Sequence, residues 1–362
     1  VTTRELPPPD VGHSPARSRR RRPVVVAPSL DDPLIANGSG FVGGPLGRRA
    51  RPGRSWWTPV RVVLVFAISV LMLGWWQKEP CLSHPWEHEY QYTRMCYSDV
   101  YALYFSEHLD TGAVPYRDHA VEYPVLTGGL MWAASSLTHA VAPATDRPLW
   151  FFTITAAMLG VCALVVVVTT VQLAGRRQWD AALVALAPIL VFHAFTNWDL
   201  LAAAFAGLGM VAWARRRPML AGVLLGLGTA AKLYPALLLV ALLMLCLRAH
   251  RMRAWWTSVL GCAVAWVVAN APVFLLWRHS WWTFFRLNKE RPADWDSVWF
   301  LLSRATEGAG TGFGSFVHDV VAPATPSGGT PTSLNWLTIG CAVGLFGLIG
   351  ALVWKAPRRP RL

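Results

Sequence analysis

Charge is the scarcest property of this sequence. Asp, Glu, Lys and Arg make up 15% of its 362 residues, against 54% apolar residues. An ordinary soluble domain carries about 25% charged residues. Mean hydropathy is positive, at +0.36. These values exclude a soluble globular domain and imply an all-α polytopic membrane protein. HExxH, Walker A, GxGxxG and clustered thiolate motifs are also missing. Nucleotide binding of the soluble-enzyme kind therefore has no local support. Cysteine is sparse, with six residues. Cys81 and Cys96 share one loop and suit a disulfide on the oxidising side of a membrane. Cys162, Cys246, Cys262 and Cys341 lie inside apolar segments and need no special role.

The net charge of +13 does not read as nucleic-acid binding, because the Arg residues cluster between apolar segments instead of forming one patch. The first 61 residues hold 11 Arg and four acids. Residues 1–55, with SRRRRP from Ser18 to Pro23, read as a disordered basic cytoplasmic arm. The run Val24 to Ala27 is too short for an inserted signal sequence. The first hydrophobic helix is expected to serve as an uncleaved anchor.

Within residues 56–354 the apolar runs predict about eight crossings, near Val60–Trp76, Leu149–Leu173, Ala181–Trp198, Leu200–Ala214, Pro218–Ala231, Pro235–Leu247, Trp255–Leu276 and Leu334–Trp354. Several fall short of the usual 17–25 residues. Eight crossings place every basic cluster, the N-terminal arm and the 355–362 tail on one side, as positive-inside statistics require. Both termini are then cytoplasmic in a multi-pass plasma-membrane protein. Pro124–Val141 reads as a re-entrant or juxtamembrane helix, since a ninth crossing would move several clusters outside. The outer face carries two large loops, 77–147 and 277–333. Residues 77–123 hold eight acids and three bases. Tryptophan pairs mark the edges of apolar runs, and Trp281–Trp282 suggests an interfacial helix.

A few polar residues stand out in or beside the apolar runs. Asp99 follows a polar, aromatic stretch and suits a general base on a sugar hydroxyl; equally, it suits a helix cap. Glu122 and Tyr123 stand where the chain turns back toward the membrane. A salt bridge to Arg117 or another base would account for Glu122 as well. In FTNWDLL, Asn197 and Asp199 interrupt apolar sequence and read either as site residues or as a wetted turn. His193 lies just before them and is a weaker candidate, with a hydrogen bond inside the bundle as the plain alternative. In GVLLGLGTAAKLYP, Gly222, Gly226 and Gly228 permit close helix packing. Lys232, followed by Tyr234, is a lone base at the outer end of its helix. Its ammonium suits a phosphate anion; snorkelling to headgroups is the alternative. Arg286, Arg291 and Asp296, interleaved with Trp, suit a sugar phosphate or an interfacial helix. No spacing forces a metal site, although clustered carboxylates admit a divalent cation.

The segments CYSDVYALYFSEHLDTGAVPYRDHAVEYPVLTG, FHAFTNWDLLAAAFAGLGM and AGVLLGLGTAAKLYP together resemble polyprenyl-phosphate-dependent membrane glycosyltransferases of the GT-C class. The closest resemblance is to the actinobacterial mannosyltransferase-like family 87, through the EYP and KLYP motifs over roughly residues 60–300. It implies a GT-C-like helical bundle with its active site facing away from the cytoplasm. The implied donor is a polyprenyl monophosphate sugar, most often mannose, and the acceptor a lipid-linked or cell-envelope glycan. Asp99 matches the acidic residue that acts as base. Lys232 with Arg286 or Arg291 matches the holder of the leaving phosphate. Relatives commonly have ten or more spans, so eight would make a shorter member or a chain lacking helices. A transporter of lipid-linked molecules and a non-catalytic scaffold are the competing readings. Convergence of Asp99, Asn197, Asp199 and Lys232 on one outer cavity discriminates against the scaffold.

Overall fold

The computed structural model describes residues 57–84, 89–175, 177–290, 298, 301 and 332–355. The basic arm 1–55, most of loop 277–333 with Arg291 and Asp296, and the tail beyond Lys355 lie outside the described residues. Within them the fold is all-α. The main helices are α1 Pro59–Ser83, α2 Asp99–Ser106, α3 Val125–Val141, α4 Arg147–Ala174, α5 Asp199–Ala214, α6 Pro218–Ala231, α7 Leu238–Ala249, α8 Met252–Leu276, α9 Arg278–Glu290 and α10 Thr332–Lys355.

Four helices among the described residues are long and apolar enough to cross a membrane, in place of about eight. They are Pro59–Ser83, Ala144–Ala174, Met252–Leu276 and Trp336–Lys355. The segment expected to cross at 181–198 is broken. It forms a 3₁₀ turn, a four-residue helix and then Pro188–His193. Pro188 lacks an N–H and pushes the preceding residue out of helical geometry; Ala187 is extended, at φ −61° and ψ 123°. Helices α5, α6 and α7 have 16, 14 and 12 residues. At 1.5 Å per residue that is about 18–24 Å, short of a hydrocarbon core of about 30 Å. In contrast, α1 runs seven residues past its expected end at Trp76, through Pro80 to Ser83.

Glycines set the packing. A Cβ on Gly222 would lie 2.0 Å from the Ser258 carbonyl oxygen, and one on Gly226 would lie 2.4 Å from that of Cys262. Helix α6 therefore lies backbone to backbone against α8, as small residues allow in lipid. Its other side meets α5. A second packed region gathers Tyr104, Leu109, Met131, Phe151, Phe152 and Trp198, with Tyr104 stacked on Phe151 at 4.5 Å.

The 107–123 loop is held by contacts of two buried residues, Tyr116 and Glu107. Tyr116, at φ 69°, donates its hydroxyl to the Tyr123 carbonyl at 2.8 Å. Glu107 Oε1 accepts the Glu122 N–H at 3.4 Å, and its Oε2 lies 3.0 Å from His119 Nε2. Burial lifts the Glu107 carboxyl to about 7; the Glu122 N–H opposes the rise and the Glu122 charge adds to it. Burial, with His108 beside it, pushes His119 down. Both shifts favour the uncharged pair.

Two predictions follow from these contacts. A Cβ on Gly128 would lie 2.3 Å from the Tyr116 hydroxyl, whereas one on Gly129 meets nothing within 4 Å. Gly128→Ala should therefore destabilise by about 1–3 kcal/mol through overpacking, while Gly129→Ala should be neutral or stabilising by up to about 1 kcal/mol. Thermal unfolding in detergent measures both, and equal midpoints would contradict the packing. The second prediction concerns pH. A carboxyl raised in the folded state contributes stability that is full below its unfolded value, near 4.5, and is lost as pH rises through about 7. Glu107→Gln removes only this titration. Its unfolding midpoint should exceed that of the wild type at pH 8 by more than at pH 5; parallel curves would contradict the assignment.

Candidate active site

Two carboxylates are presented by helix starts. Asp99 is the first residue of α2, after Ser98 in extended conformation. The cap residue Ser98 makes no side-chain cap bond, and the bonds to the Asp99 carboxylate among the described residues come from tyrosine hydroxyls and not from the helix N–H groups. Asp99 Oδ1 accepts the Tyr97 hydroxyl at 2.6 Å, and Oδ2 accepts the Tyr123 hydroxyl at 3.1 Å. Each carboxylate oxygen has a second lone pair for a further donor. Asp199 is the first residue of α5. Its N–H donates to Asn197 Oδ1 at 3.1 Å, so Asn197 shapes the turn. Its carboxylate is ion-paired with Lys232, the residue that ends α6. Lys232 thus has an acidic partner on the neighbouring helix.

The two acids belong to one assembly. The Asp99 N–H donates to the Thr196 carbonyl at 2.7 Å, and the Ser98 hydroxyl donates to that of Phe195 at 2.7 Å. Tyr123 meets Trp198 edge-on, with ring centroids 5.2 Å apart, and Trp198 is 1% exposed. Burial, then the charges of Asp99, Glu122 and Asp199, push the Tyr123 hydroxyl pKa upward. Tyr123 thus stays a proton donor between the acids. A cavity of about 360 Å³ is lined by His193, Thr196, Asn197, Asp199, Leu200 and Tyr234, among others. That is within the usual range for small-ligand pockets, about 300–1,000 Å³. Asp99, Tyr123 and Lys232 do not line it; Asp99 is joined to its lining residue Thr196 through a backbone N–H, and Lys232 to its lining residue Asp199 through the ion pair.

The remaining candidates are placed as follows. The exposed His193 ring faces this cavity and has no hydrogen bond to the described residues, contrary to the bundle-internal alternative. Glu122 is half-buried beside Tyr123. Arg117, its expected partner, instead pairs with Asp118 through two 2.8 Å bonds. Arg286 is exposed on α9. That helix brings Trp281, Phe284 and Phe285 against Tyr123 and Leu233, the neighbour of Lys232. Trp281 donates to Asn270 Oδ1 at 2.8 Å, and Trp282 is 49% exposed, as suits an interfacial helix. Among the described residues, no three His, Cys, Asp or Glu side chains gather as a metal site.

Sequence reasoning missed Lys78, Glu107 and Tyr97. Lys78 carried a usable signal. It is a lone base at the far end of the first apolar run, the same feature that drew attention to Lys232. Glu107 carried none, because its burial depends on how the 107–123 loop folds back.

The family model for glycosyltransferase family 87 matches residues 123–362. The match begins at Tyr123 and takes in Asn197, Asp199 and Lys232; Asp99 precedes it. No curated protein matches, and no solved structure matches. Since the family model covers more than half of this all-α membrane chain, the protein belongs to glycosyltransferase family 87.

Proposed function

We propose that this glycosyltransferase moves a hexose, mannose foremost, from a polyprenyl monophosphate donor to a lipid-linked or cell-envelope glycan. Transfer takes place on the extracytoplasmic face of the plasma membrane, with both termini cytoplasmic. Asp99 takes the proton from the acceptor hydroxyl. The hydroxyl oxygen attacks the anomeric carbon, the bond from that carbon to the phosphate oxygen breaks, and polyprenyl phosphate leaves with inversion.

One observation supports this reading most. Asp99, Asn197, Asp199 and Lys232 share one wetted assembly at one end of the bundle, joined through Tyr123, Thr196 and Trp198. Separate environments for these residues would have favoured a scaffold. The division of charge also fits. Among the described residues Asp99 has hydroxyl donors but no ion-pair partner, whereas Asp199 is paired with Lys232. The free acid suits proton abstraction. The paired lysine has three N–H donors, enough to hold Asp199 and still meet a phosphate oxygen. Arg286, on the helix packed beside Tyr123 and Leu233, is the second proposed phosphate contact. Glu122, Tyr234 and His193 are left to contact sugar hydroxyls.

The test is sugar transfer in liposomes with polyprenyl-phosphomannose or polyprenyl-phosphoarabinose and a cell-envelope lipid extract. Asp99→Asn should lower kcat by about 10²–10⁴-fold, the usual worth of a general base, while donor binding persists. Undiminished transfer would remove Asp99 as base and move the role to Glu122 or Asp199. Preference for the arabinose donor would correct the sugar.

A further inference from the structure

Lys78 lies near the end of α1 and is 1% exposed. Its ammonium donates to the Tyr97 carbonyl at 2.8 Å and the Phe192 carbonyl at 2.8 Å, and approaches the Thr196 hydroxyl at 3.5 Å. Three N–H donors thus face three acceptors, which exhausts what an ammonium can donate. No carboxylate lies within ion-pair reach among the described residues, because the four pairs present there involve other groups. Burying a cation without a counter-ion is costly. The return is positional, because its acceptors come from two separate stretches. Tyr97 stands two residues before Asp99. Phe192 and Thr196 precede Asp199 on the broken segment.

We infer that Lys78 is a positioning residue for the transfer reaction, its buried ammonium fixing segments 97–99 and 192–199 against each other and so setting where Asp99 stands relative to the cavity. This rests on the reading of Asp99 as base. Two further contacts place the same parts together. The Cys81–Cys96 disulfide joins α1 to the residue before Tyr97. A Cβ on Gly74 would lie 2.9 Å from the Val191 carbonyl oxygen, so α1 runs close along the broken segment. Without the ammonium, Phe192 keeps the Thr196 hydroxyl as donor at 3.0 Å, whereas the Tyr97 carbonyl loses the Lys78 bond. With donors saturated and no exposed surface, Lys78 neither binds substrate nor moves a proton.

The test compares full-length wild type, Lys78→Met, Lys78→Arg and Asp99→Asn in liposomes. The disulfide should keep Lys78→Met folded, as judged by its unfolding midpoint and a non-reducing gel. Its kcat should fall about 10²-fold, the scale of a 1 Å misplacement, with donor KM within about twofold of wild type on the same reasoning. Lys78→Arg should recover part of the loss. Amide hydrogen exchange supplies a readout that does not depend on turnover. The Asp99 N–H, bonded to Thr196, should exchange faster in Lys78→Met, while amides in α8 stay unchanged. Wild-type exchange at Asp99 would overturn the inference, as would wild-type kcat or a loss confined to donor KM. If Lys78→Met does not fold, Lys78→Gln, which keeps two N–H donors, is judged by the same measurements; failure of both to fold would also overturn it. Full activity in Asp99→Asn sinks the base assignment whatever Lys78 does. An inactive Asp99→Asn beside an unaffected Lys78→Met sinks only the role of Lys78.

Discussion

Residues 97–99 and 192–196 meet as two stretches of largely non-helical backbone at the end of an apolar bundle. Backbone N–H and C=O groups placed there without partners are costly. The two stretches satisfy one another: Asp99 N–H to Thr196, Ser98 hydroxyl to Phe195, and Lys78 to both sides. The two acid-bearing helices, α2 and α5, both start from this seam. Their carboxylates are therefore oriented by hydrogen bonds that the fold must make anyway. This reverses the usual reading of broken helices in membranes as weak points. Irregular backbone is tolerated where it borders a polar cavity, and here it borders the one that receives His193, Asn197 and Asp199.

Helix α6 brings Lys232 to the site. Its glycine face is pressed against α8, which fixes its height and rotation, and Lys232 at its end is thereby delivered to Asp199. A Cβ at Gly222 or Gly226 would act on the site from a distance, by moving the helix that carries the ammonium. Packing and chemistry are joined here through one rigid element, with no chain of side-chain contacts needed between them.

How much of this was legible follows from which interactions are local. Asp99, Asn197, Asp199 and Lys232 could be picked out because a charged or polar residue at the end of an apolar run is anomalous by itself. The glycine spacing of α6 and the pairing of Cys81 with Cys96 were legible for the same reason. The partners were not. That Asp199 takes Lys232, and that Asp99 takes two tyrosines instead of capping its helix, depends on contacts 24 and 33 residues away along the chain. The number of crossings failed because hydropathy measures composition and not continuity. The 181–198 segment is apolar enough, but Pro188 breaks it. Lys78 falls inside the expected 77–147 loop, because the expected first crossing ends at Trp76, whereas α1 carries on through Pro80 to Ser83.

Charge at the site constrains the proposed substrate further. The ammonium of Lys78 is taken up by backbone carbonyls and that of Lys232 by Asp199, while Asp99, Glu122 and Asp199 all lie near enough to Tyr123 to add to the effect of burial in pushing its hydroxyl pKa upward. A phosphate arriving among them would be repelled from the Asp99 side, where the cavity offers hydroxyls and carboxylates. The position of least repulsion is beyond Lys232, toward α9. Helix α9 carries the exposed side chains of Arg286 and Lys289, and its aromatic residues line one pocket with Leu233 and Tyr123. In the proposed reaction this sets the order of groups across the site. The phosphate lies toward α9 and Lys232, the sugar over the Tyr123 and Asp199 region, and the acceptor hydroxyl on the Asp99 side. With that order, the acceptor hydroxyl deprotonated by Asp99 would attack from the face opposite the leaving phosphate, as inversion at the anomeric carbon requires.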